Sequence, residues 1–320
     1  MLSRIGETLY WMARNLERAD DTARILDINL VYMLEADEGS TEETLWKPLL
    51  QIVDVDAPYA ERYKDGVVTV QRVIHFLTQE KANPGSLHNS LRLARENARV
   101  VRDRISREMW ESINQFWLEV DKHLKTKLLP WRAEELFSYV HREVALFFGL
   151  AQSTMVRGQA YGFTALGSLQ ERADMTARIL DVRYHLLLPD VSLVGSPLDY
   201  YQWGALLKSL SGFDAYRRRY QAGIRPIDVV ELVVLNPDFP RSLSYCIEGM
   251  QRALDRIGSV SNALVEAGMA ALRAHLSDTT PEAILDRGLH EYLDRFLVLL
   301  ANLTDALQAD YFEAHLGDPA

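Results

Sequence analysis

Two stretches of this chain are nearly the same. Residues 17–27 read ERADDTARILD and residues 171–181 read ERADMTARILD, ten matches in eleven at an offset of 154 in a chain of 320 residues. Other landmarks recur at offsets of 156 or 157. Trp46 with Leu49 and Leu50 answers to Trp203 with Leu206 and Leu207, Tyr63 to Tyr220, and Ser86-Leu87 to Ser242-Leu243. The spacing predicts two related halves, residues 1–157 and 158–320, joined without a flexible linker. Halves of this kind pack as one body about a pseudo-two-fold axis, each covering the other's apolar face.

Both copies of the repeat read as helix. Over residues 7–34, Leu9, Met12, Leu16, Ala19, Ala23, Leu26, Leu30 and Met33 recur at alternating steps of three and four. That is the spacing of one helical face. Residues 86–119, 134–157, 160–188 and 281–314 carry patterns of the same length class. Start signals are a capping box at Ser40 or Thr41 with Glu43, and N-caps at Ser86, at Ser196 before Pro197 and at Thr280 before Pro281. The β-branched runs Val67–Val70 and Val229–Leu235 lack hairpin chemistry and are read as short buried helices. The fold class predicted is all-α, an internally duplicated helical bundle.

The first repeated helix carries a second stripe beside its main seam. Tyr10, Arg14, Glu17, Asp21, Ile25 and Ile28 follow one another at helical spacing, so this helix is expected to be covered on two sides. Its counterpart in the second copy is Ser168, Glu171, Met175, Ile179 and Val182. Glu17 and Arg18 point about 100° apart and cannot pair face to face on their own helix. A charge buried alone would be very costly, so partners have to come from another helix. Three readings of Arg14, Glu17, Arg18, Glu171 and Arg172 stand open: a structural ion-pair network, a binding site for an anionic or zwitterionic group, and an acid or base at Glu17. A second basic stripe, Arg92, Arg95, Arg99 and Arg102, flanks the seam of its helix, with Glu96 and Asp103 expected on the far side. It is either a solvated flank or a dock for phosphate or carboxylate.

Composition narrows the function classes. Acidic residues outnumber basic ones 45 to 35, for a net charge of −10, which argues against nucleic acid as a partner. Cys246 is the one cysteine, on an apolar helix, and fits a reducing, cytoplasmic setting. Arg4, Glu7, Arg14 and Glu17 interrupt the N-terminus where a leader would be apolar. The apolar run Phe296–Ala301 is too short to span a membrane. His141, His185, His290 and His315 are isolated, with no Glu-x-x-His pairs, so no metal or cofactor is expected. No P-loop, G-x-G-x-x-G or G-x-S-x-G occurs. The segment from Lys122 to Arg132 reads as an exposed connection with Trp131 tucked under.

Three stretches together resemble the bacterial Alpha-E family, all-helical proteins named for a Glu-Arg motif. They are Met1–Asp27, with Leu9-Tyr10-Trp11 and Arg14 to Ala19; Ala94 to Asn114, with Arg95-Glu96-Asn97 and Trp110; and Gly149 to Asp181, with Glu171-Arg172-Ala173-Asp174. The resemblance runs along nearly the whole chain. It implies company with circularly permuted ATP-grasp amidoligases and transglutaminase-like proteins. It also implies a role as a helical accessory in ATP-driven peptide or amide-bond formation. The expectation is a non-catalytic binding protein for such a ligase; the alternative is an enzyme, a hydrolase or transferase, using the Glu-Arg cluster as acid/base and anion clamp. The chain departs from the family pattern in its second copy, where Ser168 stands for an arginine and Gln170 for a leucine. That shifts the weight toward Arg14, Glu17 and Arg18.

Overall fold

The computed structural model describes residues 3–35, 41–126, 128–187, 197–221, 223–258, 263–277 and 279–313. Among these, regular structure is helical throughout. The backbone contacts divide the chain into two compact units, residues 11–155 and residues 1–10 with 156–320. Ser40, Ser196 and His315, and the side chains of Trp131 and His185, lie outside the described residues.

The first unit is built from α1 (Ser3–Glu35), whose opening turns belong to the other unit, and from α2 (Glu42–Ile52), α3 (Asp56–Arg62), α4 (Val70–Thr78), α5 (Leu87–Val100), α6 (Arg107–Leu124) and α7 (Pro130–Thr154). Large side chains from several helices, including Trp46, Phe76, Phe116, Phe137 and Phe147, fill its core at under 2 % exposure. Each such side chain contributes roughly 2–3 kcal/mol when taken out of water. α6 packs against both α5 and α7.

The other unit holds α8 (Gln159–Leu187), α9 (Pro197–Ser209), α10 (Phe213–Arg219), α11 (Pro226–Val230) running into a π-helical turn over 231–235, α12 (Leu243–Ile257), α13 (Ala263–Ser277), α14 (Pro281–Arg287) and α15 (Leu289–Leu307), which ends in a π turn over 308–313. α8 is its spine, packed against α9, α12 and α15. Trp203, Phe296 and Tyr216 are fully buried here. Ser86 and Ser242 cap α5 and α12 in the same way, each side chain accepting from the backbone N–H three residues on. Thr280 caps α14 ahead of Pro281.

Four local expectations are corrected. The helix expected over 86–119 is broken: α5 ends at Val100, and Ser106 opens α6 by accepting from the Met109 N–H at 3.2 Å. The apolar spacing runs on through the turn because Val101 and Ile105 both point inward there, so periodicity alone does not register the break. The helix expected over 281–314 is interrupted at Gly288, whose φ of 105° suits no residue with a side chain. Val67 is 48 % exposed and non-helical, and α4 starts only at Val70; Val229–Leu235 is helical and mostly buried. The capping box belongs to Thr41 with Thr44 rather than Glu43, since the Thr44 hydroxyl reaches back to the Thr41 backbone.

Candidate functional site

The middle of α1 is charged and yet sealed. On its main seam Leu9, Met12, Leu16, Ala19, Ala23 and Leu26 are fully buried, and on the second stripe Tyr10, Glu17, Asp21 and Ile25 are each about 1 % exposed. Arg14, at 9 %, lies over the Trp11 ring at 5.0 Å, a cation–π contact one helical turn long. Glu17 and Arg18 both have partners, as do Glu171 and Arg172. Arg172 donates to the Pro240 carbonyl at 3.3 Å, which fastens α8 to the loop ahead of α12.

One turn on from Glu17 sits a carboxylate that needed no glutamate motif to be found, only a partner from far along the chain. Asp20 accepts from Arg24 Nε at 2.7 Å through one oxygen and lies 2.7 Å from His141 Nδ1 through the other. An oxygen from each of Glu17, Asp20 and Asp21 falls within 4.8 Å of the others, and all three residues are buried. Three carboxylates that close would repel one another without compensation. The compensation in view is a guanidinium and an imidazole on Asp20 itself. Burial raises Asp27, two turns further on, above the usual carboxylate range, with Glu134 adding to the shift while His141 and Arg24 oppose it.

In α8 the same string is engaged differently. Asp174 accepts from Arg178 at 2.9 Å, the i,i+4 pair equivalent in sequence to Asp20 with Arg24. The imidazole, from His290 on α15, goes instead to Asp181, at 2.8 Å, and that hydrogen bond holds His290 above the ordinary histidine range. Glu171 is 1 % exposed. Both departures from the family pattern have a structural account. Gln170 is fully buried, accepts from the Tyr10 hydroxyl at 2.8 Å and donates to the Thr304 hydroxyl at 2.6 Å, so it links α1, α8 and α15 where a leucine could link nothing. Ser168 turns back to its own helix, donating to the Ala165 carbonyl. Beside it, a Cβ on Gly167 would collide with the carbonyl oxygen of Tyr10.

The arginine stripe is not a row of open cations. Glu96, expected on the far side, takes Arg95 on one oxygen and Arg99 on the other, each at 2.7 Å. Arg95 also donates to Asn114 at 2.9 Å. Arg95 and Arg102 both lie over the Trp110 ring, at 5.9 and 5.3 Å. Arg102 falls beyond the end of α5, and Arg92 is exposed. A cleft of about 820 Å³ in the same unit is lined by other residues, among them Glu119, His123, Arg132, Glu135, Tyr139 and Arg142. No helix among the described residues is long and apolar enough to cross a membrane.

Comparison with known proteins places these features in a wider set. Residues 1–312 match a family model described as a predicted alpha-helical domain with a conserved ER motif. Uncharacterized proteins of Mycobacterium bovis and Mycobacterium tuberculosis are 24 % identical over 297 residues, which is 88 % of this chain and 33 % of theirs. The chain thus spans about a third of the length of the curated relatives it matches. No solved structure matches it.

Proposed function

The chain belongs to the Alpha-E family, and from that membership we propose that it is a non-catalytic helical accessory to a cytoplasmic ATP-grasp peptide or amide-bond ligase, holding or presenting a substrate with an anionic group. The observation that carries this reading is the sealing of both motif glutamates, Glu17 and Glu171, at 1 % exposure each. A general acid or base has to reach the proton it transfers within about 3 Å of substrate, and these carboxylates face protein. The Glu-Arg pairs are on this account the keystones of two related halves, arranged about a pseudo-two-fold axis, and the function lies on the surface they hold in shape.

The length of the mycobacterial relatives supports a modular role, since there the matched stretch accompanies roughly twice its own length of other sequence. The link to a ligase, and to a transglutaminase-like protein beside it, rests on family resemblance. The test is capture of the neighbouring ligase by this chain, with ATP turnover measured with and without it. A stable complex with altered turnover is the expected result. Absence of a complex together with unchanged turnover contradicts the reading. Release of product by this chain alone, lost in Glu17→Gln, would establish the enzymatic alternative.

A further inference from the structure

The cationic groups that are best placed for an anion are not those of the α5 stripe. A cleft of about 460 Å³ opens between α4 and the connection from α6 to α7, lined by Tyr63, Gln71, Arg72, His75, Gln79, Lys125 and Thr126. In a chain of net charge −10, this lining offers a guanidinium, an ammonium, an imidazole and the Tyr63 hydroxyl, and no carboxylate; the Thr126 hydroxyl donates to the His123 carbonyl at 3.0 Å. Carboxylates stand behind the cations and fix them. Asp65 takes both terminal nitrogens of Arg72, at 2.7 and 2.9 Å, and Asp121 takes Lys125 Nζ at 2.7 Å. The Arg72 Nε–H and two of the three Lys125 protons are left over by these bonds.

The frame around the cleft is held from both sides. Gln79 donates to the carbonyls of Leu124 and Thr126, at 2.7 and 2.8 Å, and Gln71 donates to that of Leu128 at 2.9 Å. These three bonds tie the α6–α7 connection to α4. His75 Nδ1 lies 3.3 Å from the Tyr63 hydroxyl. Arg72 rests over the Tyr63 ring at 5.1 Å, and Arg62 lies over the same ring at 5.4 Å. Preorganised donors of this kind lose little freedom when a ligand arrives.

We propose that this cleft binds the phosphate group of a small phosphate monoester, with Arg72 and Lys125 as its charged contacts and Tyr63 and His75 as further hydrogen-bonding groups. Phosphate is favoured over carboxylate by count: three terminal oxygens accept from several donors at once, where a carboxylate has two. The volume exceeds that of phosphate alone, leaving room for an organic body. This site names the place of the anionic group in the reading above, and its test needs no ligase, so the two fail separately.

The experiment is titration of the full ¹⁵N-labelled chain with inorganic phosphate at constant ionic strength, with acetate as a second arm. Saturable shifts of the Gln71 and Gln79 side-chain amides and the Thr126 backbone are expected, with a Kd on the order of 1 mM. Lys125→Gln, an exposed change that leaves the core untouched, weakens binding about fivefold or more, and Arg72→Gln abolishes it. Arg99→Gln on the α5 stripe leaves it unchanged. No saturable response to phosphate, equal binding by acetate, or undiminished affinity in Lys125→Gln overturns the proposal.

Discussion

Residues 17–27 and 171–181 differ at one position, Asp21 against Met175, yet their charges are settled by different neighbours. In α1 the imidazole reaches the fourth residue of the string, Asp20, whose side chain is 4 % exposed. In α8 it reaches the eleventh, Asp181, at 16 %. Asp27 is left as a half-buried carboxylate that the fold holds toward its neutral form, while its twin Asp181 has a cationic partner. The same local sequence makes the same helix; which of its charges stabilise that helix is decided by side chains more than 100 residues away.

The comparison can be broken most severely where the helices touch other backbone. Position 167 in α8 corresponds to Ala13 in α1 at the repeat's offset. Because a Cβ on Gly167 would meet the Tyr10 carbonyl, Gly167→Val is expected to cost roughly 3 kcal/mol, measured as a fall in Tm. Ala13→Gly is expected to cost about 1 kcal/mol, chiefly through backbone entropy. A Gly167→Val variant that melts like the parent would mean that no backbone crowds position 167.

Next in size is the fourth residue. Asp20→Ala removes a buried carboxylate that Arg24 and His141 share and should cost about 2–3 kcal/mol in denaturant melts. Asp174→Ala removes a pair with side chains 29 % and 25 % exposed and should cost less than about 1 kcal/mol.

The eleventh residue should give effects of opposite sign. Asp27 has a raised pKa in the fold, so its contribution to stability is full below the unfolded carboxylate value and is lost as pH rises through the folded one. Asp27→Asn is therefore expected to stabilise at pH 7 by a few tenths of a kcal/mol, after allowance for solvent screening, and to lose that advantage toward pH 4. Asp181→Asn is expected to destabilise by under about 1 kcal/mol. His290 is raised, so its bond with Asp181 contributes fully below the unfolded histidine value and fades as pH climbs through the folded one. Melts of both variants at pH 4, 6 and 8 check the signs. Smallest of all, Arg99→Gln on the exposed stripe should shift stability by no more than about 0.5 kcal/mol.

Much of this architecture was legible from residue spacing. The long helices α1, α7 and α8 follow from steps of three and four, and the caps at Ser86 and Thr280 from side-chain chemistry. The two buried stripes of α1 were legible for the same reason, and with them the burial of Arg14 and Glu17. The α5–α6 break was not, because Val101 and Ile105 continue the apolar rhythm across a turn. Nor was the assignment of His141 to Asp20, or of Gln170 to Tyr10 and Thr304, since each joins residues far apart in the chain whose meeting only packing decides. The cleft at Arg72 and Lys125 escaped for a related reason: its groups come from the end of α3, from α4 and from the α6–α7 connection, with no shared period. Glu96 does not lie on the far side of the stripe: at about 100° per residue it falls about 60° from Arg99, an i,i+3 neighbour, and its two oxygens take Arg95 and Arg99.

The central claim, that the motif glutamates Glu17 and Glu171 are sealed structural groups rather than reacting ones, is tested most directly by Glu17→Gln, a change that keeps shape and removes charge. Stability by denaturant melt and the effect on ATP turnover by the ligase proposed as partner are read on the same preparation. The account predicts a loss of about 2–3 kcal/mol, with the effect on turnover kept wherever the variant remains folded. A variant as stable as the parent that no longer acts on the ligase would contradict it.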